Sequence, residues 1–161
     1  MVLSQFNFCD IAYLNIDVYL QKKIQKIQNI CLRFIFDIKK RGEHNYDDMR
    51  ANIKWLTMTQ RRISHGLVML HKILNNKGPV YLRDMFTLIS EVTKRNTRAS
   101  DLNIWIPNNQ SKAIHKKAFN LYISKVWNQL PKDVKSSNST KTFKQKIKSL
   151  FLSNSFELPP H

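Results

Sequence analysis

The chain has 161 residues, a length that fits one domain or a piece of a larger protein. Its 42% hydrophobic content excludes wholesale disorder, and its three glycines argue against a turn-rich β-sandwich and favour helices. Lysine and arginine total 27 against 11 acidic residues, a formal net charge of +16 that is most easily tolerated beside a polyanionic partner.

The N-terminal segment Val2–Tyr13 is apolar and fits either a short helix or a strand. No N-cap residue leads into it, so the chain is expected to begin in mid-structure, as a fragment would. The next predicted helix follows an N-cap at Asp17, fades near Phe36 and ends before Gly42.

The segment Leu20–Arg41 has the clearest amphipathic pattern of the chain. Its apolar residues recur every three or four positions and share one helix face: Leu20, Ile24, Ile27, Cys31 and Ile35. Three cations form a separate stripe: Lys22, Lys26 and Arg33. We expect later segments to pack on the apolar face and the cationic stripe to contribute to a nucleic-acid surface.

A second helix is predicted at Gln60–Asn75, capped by Thr59 and ended by the turn at Asn75–Pro79. Its core-facing residues are predicted to be Ile63, Leu67, Leu70 and Leu74. Its candidate phosphate-binding residues are Arg61, Arg62 and Lys72. A short helix is expected within Pro79–Phe86, with apolar contacts from Tyr81, Leu82 and Phe86.

Beyond it, Ser90–Ser100 is predicted to be a basic loop, followed by a short extended segment that ends at Pro107. The loop contributes three candidate nucleic-acid contacts: Lys94, Arg95 and Arg98. Helical spacing returns at Lys112–Leu130, where Pro131 terminates it. The apolar stripe of this helix is Phe119, Tyr122, Ile123, Val126, Trp127 and Leu130.

The last predicted helix starts at a capping box formed by Thr142 and Gln145. Its core face is predicted to be Phe143, Ile147, Leu150 and Phe151. Its outward cations are Lys141, Lys144 and Lys148. The remainder, residues 153–161, is expected to be a flexible tail.

Catalytic and metal chemistry find little support in the sequence. Tyr46, Asp47 and Asp48 resemble the paired aspartates of a polymerase, but their flanks are polar, which favours a helix start over the required hairpin between apolar strands. The histidines are scattered, and Cys9 and Cys31 lack nearby ligand partners. We therefore expect no catalytic residue, metal or cofactor in this chain.

Several side chains are expected to have structural roles. Cys9 and Cys31 lie among apolar neighbours and are expected to be reduced, buried thiols of an intracellular protein. The two histidines His65 and His71 are expected on helix surfaces. The three tryptophans are expected in the core rather than as base-stacking platforms: Trp55, Trp105 and Trp127.

The basic stripes remain as the candidate site, because lysine and arginine bind phosphate oxygens without reading sequence. The high positive charge is also compatible with three alternatives. An anionic membrane surface could attract it, although the amphipathic faces look long enough to satisfy one another. Solvated helix faces are also often rich in lysine, and an AT-rich genome would encode much lysine and asparagine.

In order, six segments resemble the C-terminal tail of reverse transcriptases from jockey-like, LINE-type (non-LTR) retrotransposons. They are IQKIQNICLRFIF at Ile24–Phe36, IKWLTMTQRRISHGLVMLHKIL at Ile53–Leu74, GPVYLRDMF at Gly78–Phe86, RNTRASDLNIWIP at Arg95–Pro107, KKAFNLYISKVWNQLPKDVK at Lys116–Lys135 and STKTFKQKIKSLF at Ser139–Phe151. Each motif is short, but their shared order and spacing make the resemblance specific, and it covers about Val2 to Leu152.

The resemblance implies the helical thumb and connection region downstream of a polymerase palm, which grips the backbone of the template–primer duplex. The parent protein would be an RNA-directed DNA polymerase. The family's catalytic aspartates have no matching positions in this chain, and the Cys/His knuckle found in the tail of some relatives is absent. Polymerase activity therefore does not transfer to this polypeptide.

The resulting prediction is a mainly α fold, a compact bundle of roughly four to six helices in one domain over residues 1–152. The predicted function is non-catalytic binding of RNA or RNA–DNA duplex backbone by basic helix faces, in the nucleus or cytoplasm and without a membrane. The alternative is a structural module that docks on a reverse transcriptase palm and binds no nucleic acid itself.

Overall fold

The mainly α fold is confirmed. The computed structural model describes residues 7, 9–39, 44–92, 102–107, 118–153, 156 and 158. After a 3-10 turn at Asp10–Tyr13, these ranges form α1 Val18–Ile35, α2 Tyr46–Asn52, α3 Met58–Leu74, α4 Val80–Arg83, α5 Ile89–Val92, α6 Phe119–Gln129, α7 Lys132–Lys135 and α8 Thr140–Leu152.

The central element is α3, which contacts the 3-10 turn, α1, α4, α6 and α8. Its predicted cap at Thr59 is wrong by two residues. The Thr57 hydroxyl accepts from the Gln60 N–H, and the Gln60 side chain accepts from the Thr57 N–H, a complete capping box. This reciprocal pair satisfies two backbone donors and fixes the start of the helix.

The core surrounds α3, as its apolar spacing predicted. Three of its predicted core residues are buried (Ile63, Leu67 and Leu70), and Leu74 is partly buried. On another side, Gly66 brings α6 close, because a Cβ there would lie 3.0 Å from Cδ1 of Ile123. The predicted apolar stripe of α6 is confirmed, with five of its six residues buried and Phe119 packed against the core: Phe119, Tyr122, Ile123, Val126, Trp127 and Leu130.

The last helix, α8, packs antiparallel along α3. Near the end of α3, His71 stacks on Phe143 in the first turn of α8, with 4.4 Å between ring centroids. Near the start of α3, Gln60 lines the same small pocket as Phe151 from the last turn of α8. Phe143, Ile147 and Phe151 are buried as predicted, while Leu150 is partly buried.

Two details of this contact differ from the sequence predictions. His71 is fully buried rather than exposed, with Nε2 3.0 Å from the Ser137 carbonyl oxygen. The N-cap of α8 is Ser139, whose hydroxyl accepts from the Thr142 N–H, so the capping box predicted at Thr142 is wrong. A stacked imidazole is indistinguishable from a surface one by helical spacing alone.

The predicted extended segment lies beside α6 and is confirmed. Ile104 forms an antiparallel bridge with Leu88, and the Asn128 side chain both donates to the Ile104 carbonyl and accepts from its N–H. Trp127 adds a bond from Nε1 to the Leu102 carbonyl at 2.7 Å. The Asn128 side chain thus satisfies the backbone N–H and carbonyl of Ile104, as a neighbouring strand would on that edge.

The predicted packing face of α1 is wrong. Asp17 is the N-cap residue and Phe36 ends the helix, as expected, but Leu20, Ile27 and Ile35 are exposed. Ile24 and Cys31 are partly exposed, and the two buried residues of the helix are Gln28 and Leu32.

Glutamine hydrogen bonds explain why α1 packs on this other face. Gln28 donates to the Leu56 carbonyl at 2.9 Å, and Gln25 accepts from the Met58 N–H at 3.0 Å. These bonds satisfy backbone groups of the link into α3, which would be costly to bury unpaired. The turn toward α3 leaves much of the apolar side of α1 in solvent.

The short helix α2 includes the Asp47–Asp48 pair. Asn45 caps it by accepting from the N–H groups of both aspartates, which therefore lie in the first turn. Asp47 also pairs with Arg50, whose guanidinium donates to the Asn29 side chain of α1 at 3.2 Å. The expected helix start is confirmed, and these carboxylates help join α2 to α1.

Four further side chains differ from the predictions. Cys9 is exposed and Cys31 partly exposed, so neither thiol is the buried core residue expected, although both are free. Tyr81 and Trp105 are exposed, whereas Trp127 is in the core. The first residues of the predicted basic loop are helical instead, because Ile89–Val92 forms α5.

Replacing Gln28 with leucine should lower the free energy of unfolding by about 1–3 kcal/mol, because the buried Leu56 carbonyl loses its donor. Urea denaturation measures the change. The matched control is Gln145→Leu on the exposed side of α8, expected to stay within about 0.5 kcal/mol of the wild type. Equal effects of both substitutions would contradict a structural role for the Gln28 bond.

Lys135 should make stability rise with pH. Burial lowers the pKa of its ammonium to about 8, and Nζ donates to the Asn103 side chain and the Asn128 carbonyl. Between that value and the ordinary pKa of 10.5, the unfolded chain binds the proton more tightly, so neutralisation favours the folded state. Denaturant unfolding from pH 7 to about 10 should show wild-type stability increasing relative to Lys135→Met; a constant difference would contradict this.

Candidate nucleic-acid interface

The four longest helices of the described residues are free of acidic side chains. All eleven aspartates and glutamates of the sequence lie outside α1, α3, α6 and α8. Cations on these helices therefore have no acidic residue one turn away within the same helix, where such a pair would partly neutralise their charge.

On α8, the predicted cations are where the spacing placed them. Lys141, Lys144 and Lys148 are exposed. Lys146 lies on a different side, where Nζ donates to the Asp133 carbonyl of the α7 turn at 2.6 Å. The three exposed lysines form one stripe about 10 Å long, at 1.5 Å per residue.

On α3, the structure separates two adjacent arginines. Arg61 is partly exposed, and its Nε donates to the Asn7 side chain at 2.8 Å. Lys72, on the same side of the helix, is exposed. Both remain candidate phosphate contacts, separated by about 16 Å along the axis.

Arg62 is a correction, because it is 3% exposed and cannot reach a duplex. Its Nε and Nη1 are buried and without a hydrogen-bond partner among the described residues, and Nη2 is 3.5 Å from the Thr59 hydroxyl. Burial lowers the pKa of this guanidinium, and the nearby Asp10 carboxylate opposes the shift. Arg62 lies in the interior, near Asp10 of the 3-10 turn and Tyr122 of α6, and not at the surface.

Helical spacing places the cations of α3 and α8 on one side of the molecule. In order around the axis of α3 come the contact with α6 at Gly66, the contact with α8 at His71, and then the edge that bears Arg61 and Lys72. That edge is therefore on the flank of the α3–α8 contact that faces away from α6.

In order around the axis of α8 come the side that contacts α7 at Lys146, the buried row of Phe143 and Ile147, and then the edge that bears Lys144 and Lys148. This edge also faces away from α6 and α7. The two edges thus form one region, here named the α3–α8 cationic surface. Its members are Arg61, Lys72, Lys141, Lys144 and Lys148.

One acid beside this surface, Asp10, is withdrawn from it. Asp10 is buried and pairs with Nδ1 of His65, which lies between Arg61 and Lys72 on α3. The 3-10 turn that supplies Asp10 therefore adds no exposed carboxylate at the edge.

The cations of α1 form a separate stripe. Lys22 and Lys26 are exposed, while Arg33 is partly exposed with a buried Nε that lacks a partner among the described residues. Bonds from α1 reach the first turn of α3 at Met58 and Thr59. The described contacts do not join these three cations to the α3–α8 cationic surface. The loop cations Lys94, Arg95 and Arg98 lie outside the described residues.

The sequence reasoning missed an exposed apolar stripe on α1, formed by Tyr19, Leu20, Ile27, Ile30 and Phe34. Phe34 is 87% exposed. The seven-residue spacing of Leu20, Ile27 and Phe34 is typical of a helix-packing seam and was a signal for it. The signal identifies an apolar stripe but does not say whether the stripe is buried within the chain.

Comparison with known proteins identifies no relative: no family model, curated protein or solved structure matches this chain. Over the described ranges, no helix is long and apolar enough to cross a membrane. The same ranges contain no group of three or more histidines, cysteines or acids placed to hold a metal ion.

Proposed function

We propose that this chain is a non-catalytic, nucleic-acid-binding C-terminal part of a retrotransposon RNA-directed DNA polymerase. It holds an RNA or RNA–DNA duplex by the sugar–phosphate backbone. The supporting observation is the α3–α8 cationic surface, where five cations from two antiparallel, acid-free helices share one flank.

The dimensions of this surface suit a phosphate backbone. Arg61 and Lys72 lie about 16 Å apart, and neighbouring helix axes are about 8–10 Å apart. That span is long enough to meet several consecutive backbone phosphates. Flexible lysines on rigid helices can meet such a row of phosphates without contacting base edges.

The sequence resemblance supports a role for this surface within a larger enzyme. A thumb region behind a polymerase active site needs charge and shape, and it needs no base contacts. The Asp47–Asp48 pair lies in the first turn of α2 rather than on a hairpin, and Asp47 is engaged by Arg50. This placement supports the proposal that nucleotide addition belongs to the parent polymerase rather than to this polypeptide.

Duplex binding should fall steeply with salt. Each phosphate contact by a cation releases a counterion, so the logarithm of affinity should decrease linearly with the logarithm of salt concentration. Fluorescence anisotropy with a labelled RNA–DNA duplex measures the slope between about 50 and 200 mM salt. Affinity that does not change over this range would exclude backbone binding, and strong preference for one sequence would indicate base readout instead.

Single lysine-to-glutamine substitutions should locate the contact. Lys144→Gln and Lys148→Gln should each weaken binding similarly on all sequences and reduce the salt slope by about one. Lys125→Gln is the matched control, because this exposed lysine lies on α6, away from the proposed surface, and its loss changes net charge equally. Equal losses from all three variants would show that net charge, not this surface, determines affinity.

Adjacent arginines provide a second control within α3. Arg61→Gln should weaken duplex binding, whereas folded Arg62→Met should retain wild-type affinity because its guanidinium is buried. Circular dichroism establishes that each variant is folded before anisotropy is measured. A larger binding defect in folded Arg62→Met than in Arg61→Gln would contradict the assigned surface.

The second candidate function is docking on a reverse transcriptase palm without binding nucleic acid. The exposed apolar stripe of α1 favours it, because an apolar helix face in solvent is typical of an interaction site. The anisotropy titration separates the two functions: folded protein that binds no duplex even at low salt would leave docking as the better account.

A further inference from the structure

The exposed apolar stripe of α1 extends along nearly the whole helix, with Lys23 between Leu20 and Ile27. Tyr19, Leu20, Ile27, Ile30 and Phe34 occupy about a quarter of the helix circumference over some 22 Å, at 1.5 Å per residue. Ile27, at the centre of the stripe, is 42% exposed. A row this long matches one side of a four-turn helix.

Among the residues that the structure describes, no contact covers this stripe, and the orientation of α1 is already fixed. Gln21, Gln25 and Gln28 bond to the start of α3 and the preceding link through the opposite side of α1. Rotating the stripe inward would break these bonds and leave the Leu56 carbonyl without its donor. The stripe is therefore a rigid, preformed surface.

The positive charges within and beside the stripe favour an acidic partner. Lys23 lies within it, with Nζ 4.5 Å from the centroid of the Tyr19 ring. Lys22, Lys26 and Arg33 follow along one border, and α1 contains no acidic residue. An opposing helix must therefore supply carboxylates to meet these cations.

We propose that the exposed apolar stripe of α1 docks an acidic amphipathic helix of another polypeptide. Leucine-like residues of that helix pack on Ile27 and Phe34, and its flanking carboxylates pair with Lys23 and Lys26. This docking is separate from duplex binding, because it uses a face of α1 and not the α3–α8 cationic surface.

Two other occupants fit the charge less well. A second copy of this chain would bring an equally basic α1 against the first, and like charges across a helix pair oppose association. A lipid surface would have to accommodate Lys23 in the middle of the apolar stripe, where the hydrocarbon interior has no acceptor for its ammonium. A protein helix can place a single glutamate at that position.

The test uses the full chain and a synthetic three-heptad peptide with leucine at positions a and d and glutamate at positions e and g. A peptide of the same composition, scrambled so that it has no apolar stripe, measures charge attraction alone. We expect isothermal titration calorimetry to show saturable binding of the patterned peptide, at least about tenfold tighter than of the scrambled one.

Two substitutions locate the site. Ile27→Ser and Phe34→Ser should each weaken binding of the patterned peptide by about tenfold or more, with little effect on folding because both side chains are exposed. Val80→Ser, which removes an apolar side chain of α4 about as exposed as Phe34, should change the affinity for the patterned peptide by less than about twofold. Affinity of all three variants for an RNA–DNA duplex should match the wild type, so peptide and duplex binding fail independently.

Equal affinity for the two peptides, or no effect of Phe34→Ser, would overturn the proposal. Sedimentation that shows a dimer of the chain lost in Phe34→Ser would assign the stripe to self-association instead. Binding to phosphatidylserine-containing vesicles that Phe34→Ser abolishes, without patterned-peptide binding, would assign it to a membrane surface.

Discussion

The antiparallel contact between α3 and α8 is the interaction on which the rest of the structure depends. Phe143 lies between His71 of α3 and Trp127 of α6, with ring centroids 4.4 and 5.7 Å away. This junction joins three helices at one fully buried aromatic side chain. The buried apolar residues of α8 lie in this contact. Its lysines Lys141, Lys144 and Lys148 lie on another side of the helix and are exposed.

The interior also determines which cations remain available. His65 and Arg62 surround the buried Asp10, so the 3-10 turn encloses one carboxylate and one guanidinium and leaves Arg61 at the edge. Burying a charge without a partner is costly, and the Asp10 carboxylate and the Arg62 guanidinium partly offset that cost for each other. Arg61 and Lys72 are the lysine and arginine side chains that remain at the surface of α3.

Sequence periodicity was sufficient where a helix packs through apolar residues. The faces of α3, α6 and α8 followed from residues recurring every three or four positions, and the same spacing identified Lys141, Lys144 and Lys148 as exposed. Helix ends were less certain, because Thr57, Thr59, Ser139 and Thr142 are all chemically able to cap. The hydrogen bonds that select Thr57 and Ser139 depend on backbone geometry.

Periodicity failed for α1 and for Arg62 because the deciding partners are distant in sequence. Gln28 bonds to a carbonyl 28 residues away, and such a bond leaves no apolar pattern to read. Adjacent arginines at 61 and 62 differ by about 100° around the helix, and the position of the 3-10 turn and α6 decides which one is buried. The proposed nucleic-acid-binding surface is therefore formed by α3 and α8, whereas the sequence pattern had favoured α1 as its clearest part.

Lysine footprinting tests this account most directly. The folded chain is acetylated briefly with and without an RNA–DNA duplex, and mass spectrometry compares the reactivity of each exposed lysine. Bound duplex should protect Lys72, Lys141, Lys144 and Lys148, while Lys125 on α6 stays reactive. Uniform protection of all lysines, or protection that excludes α8, would contradict a backbone-binding surface formed by α3 and α8.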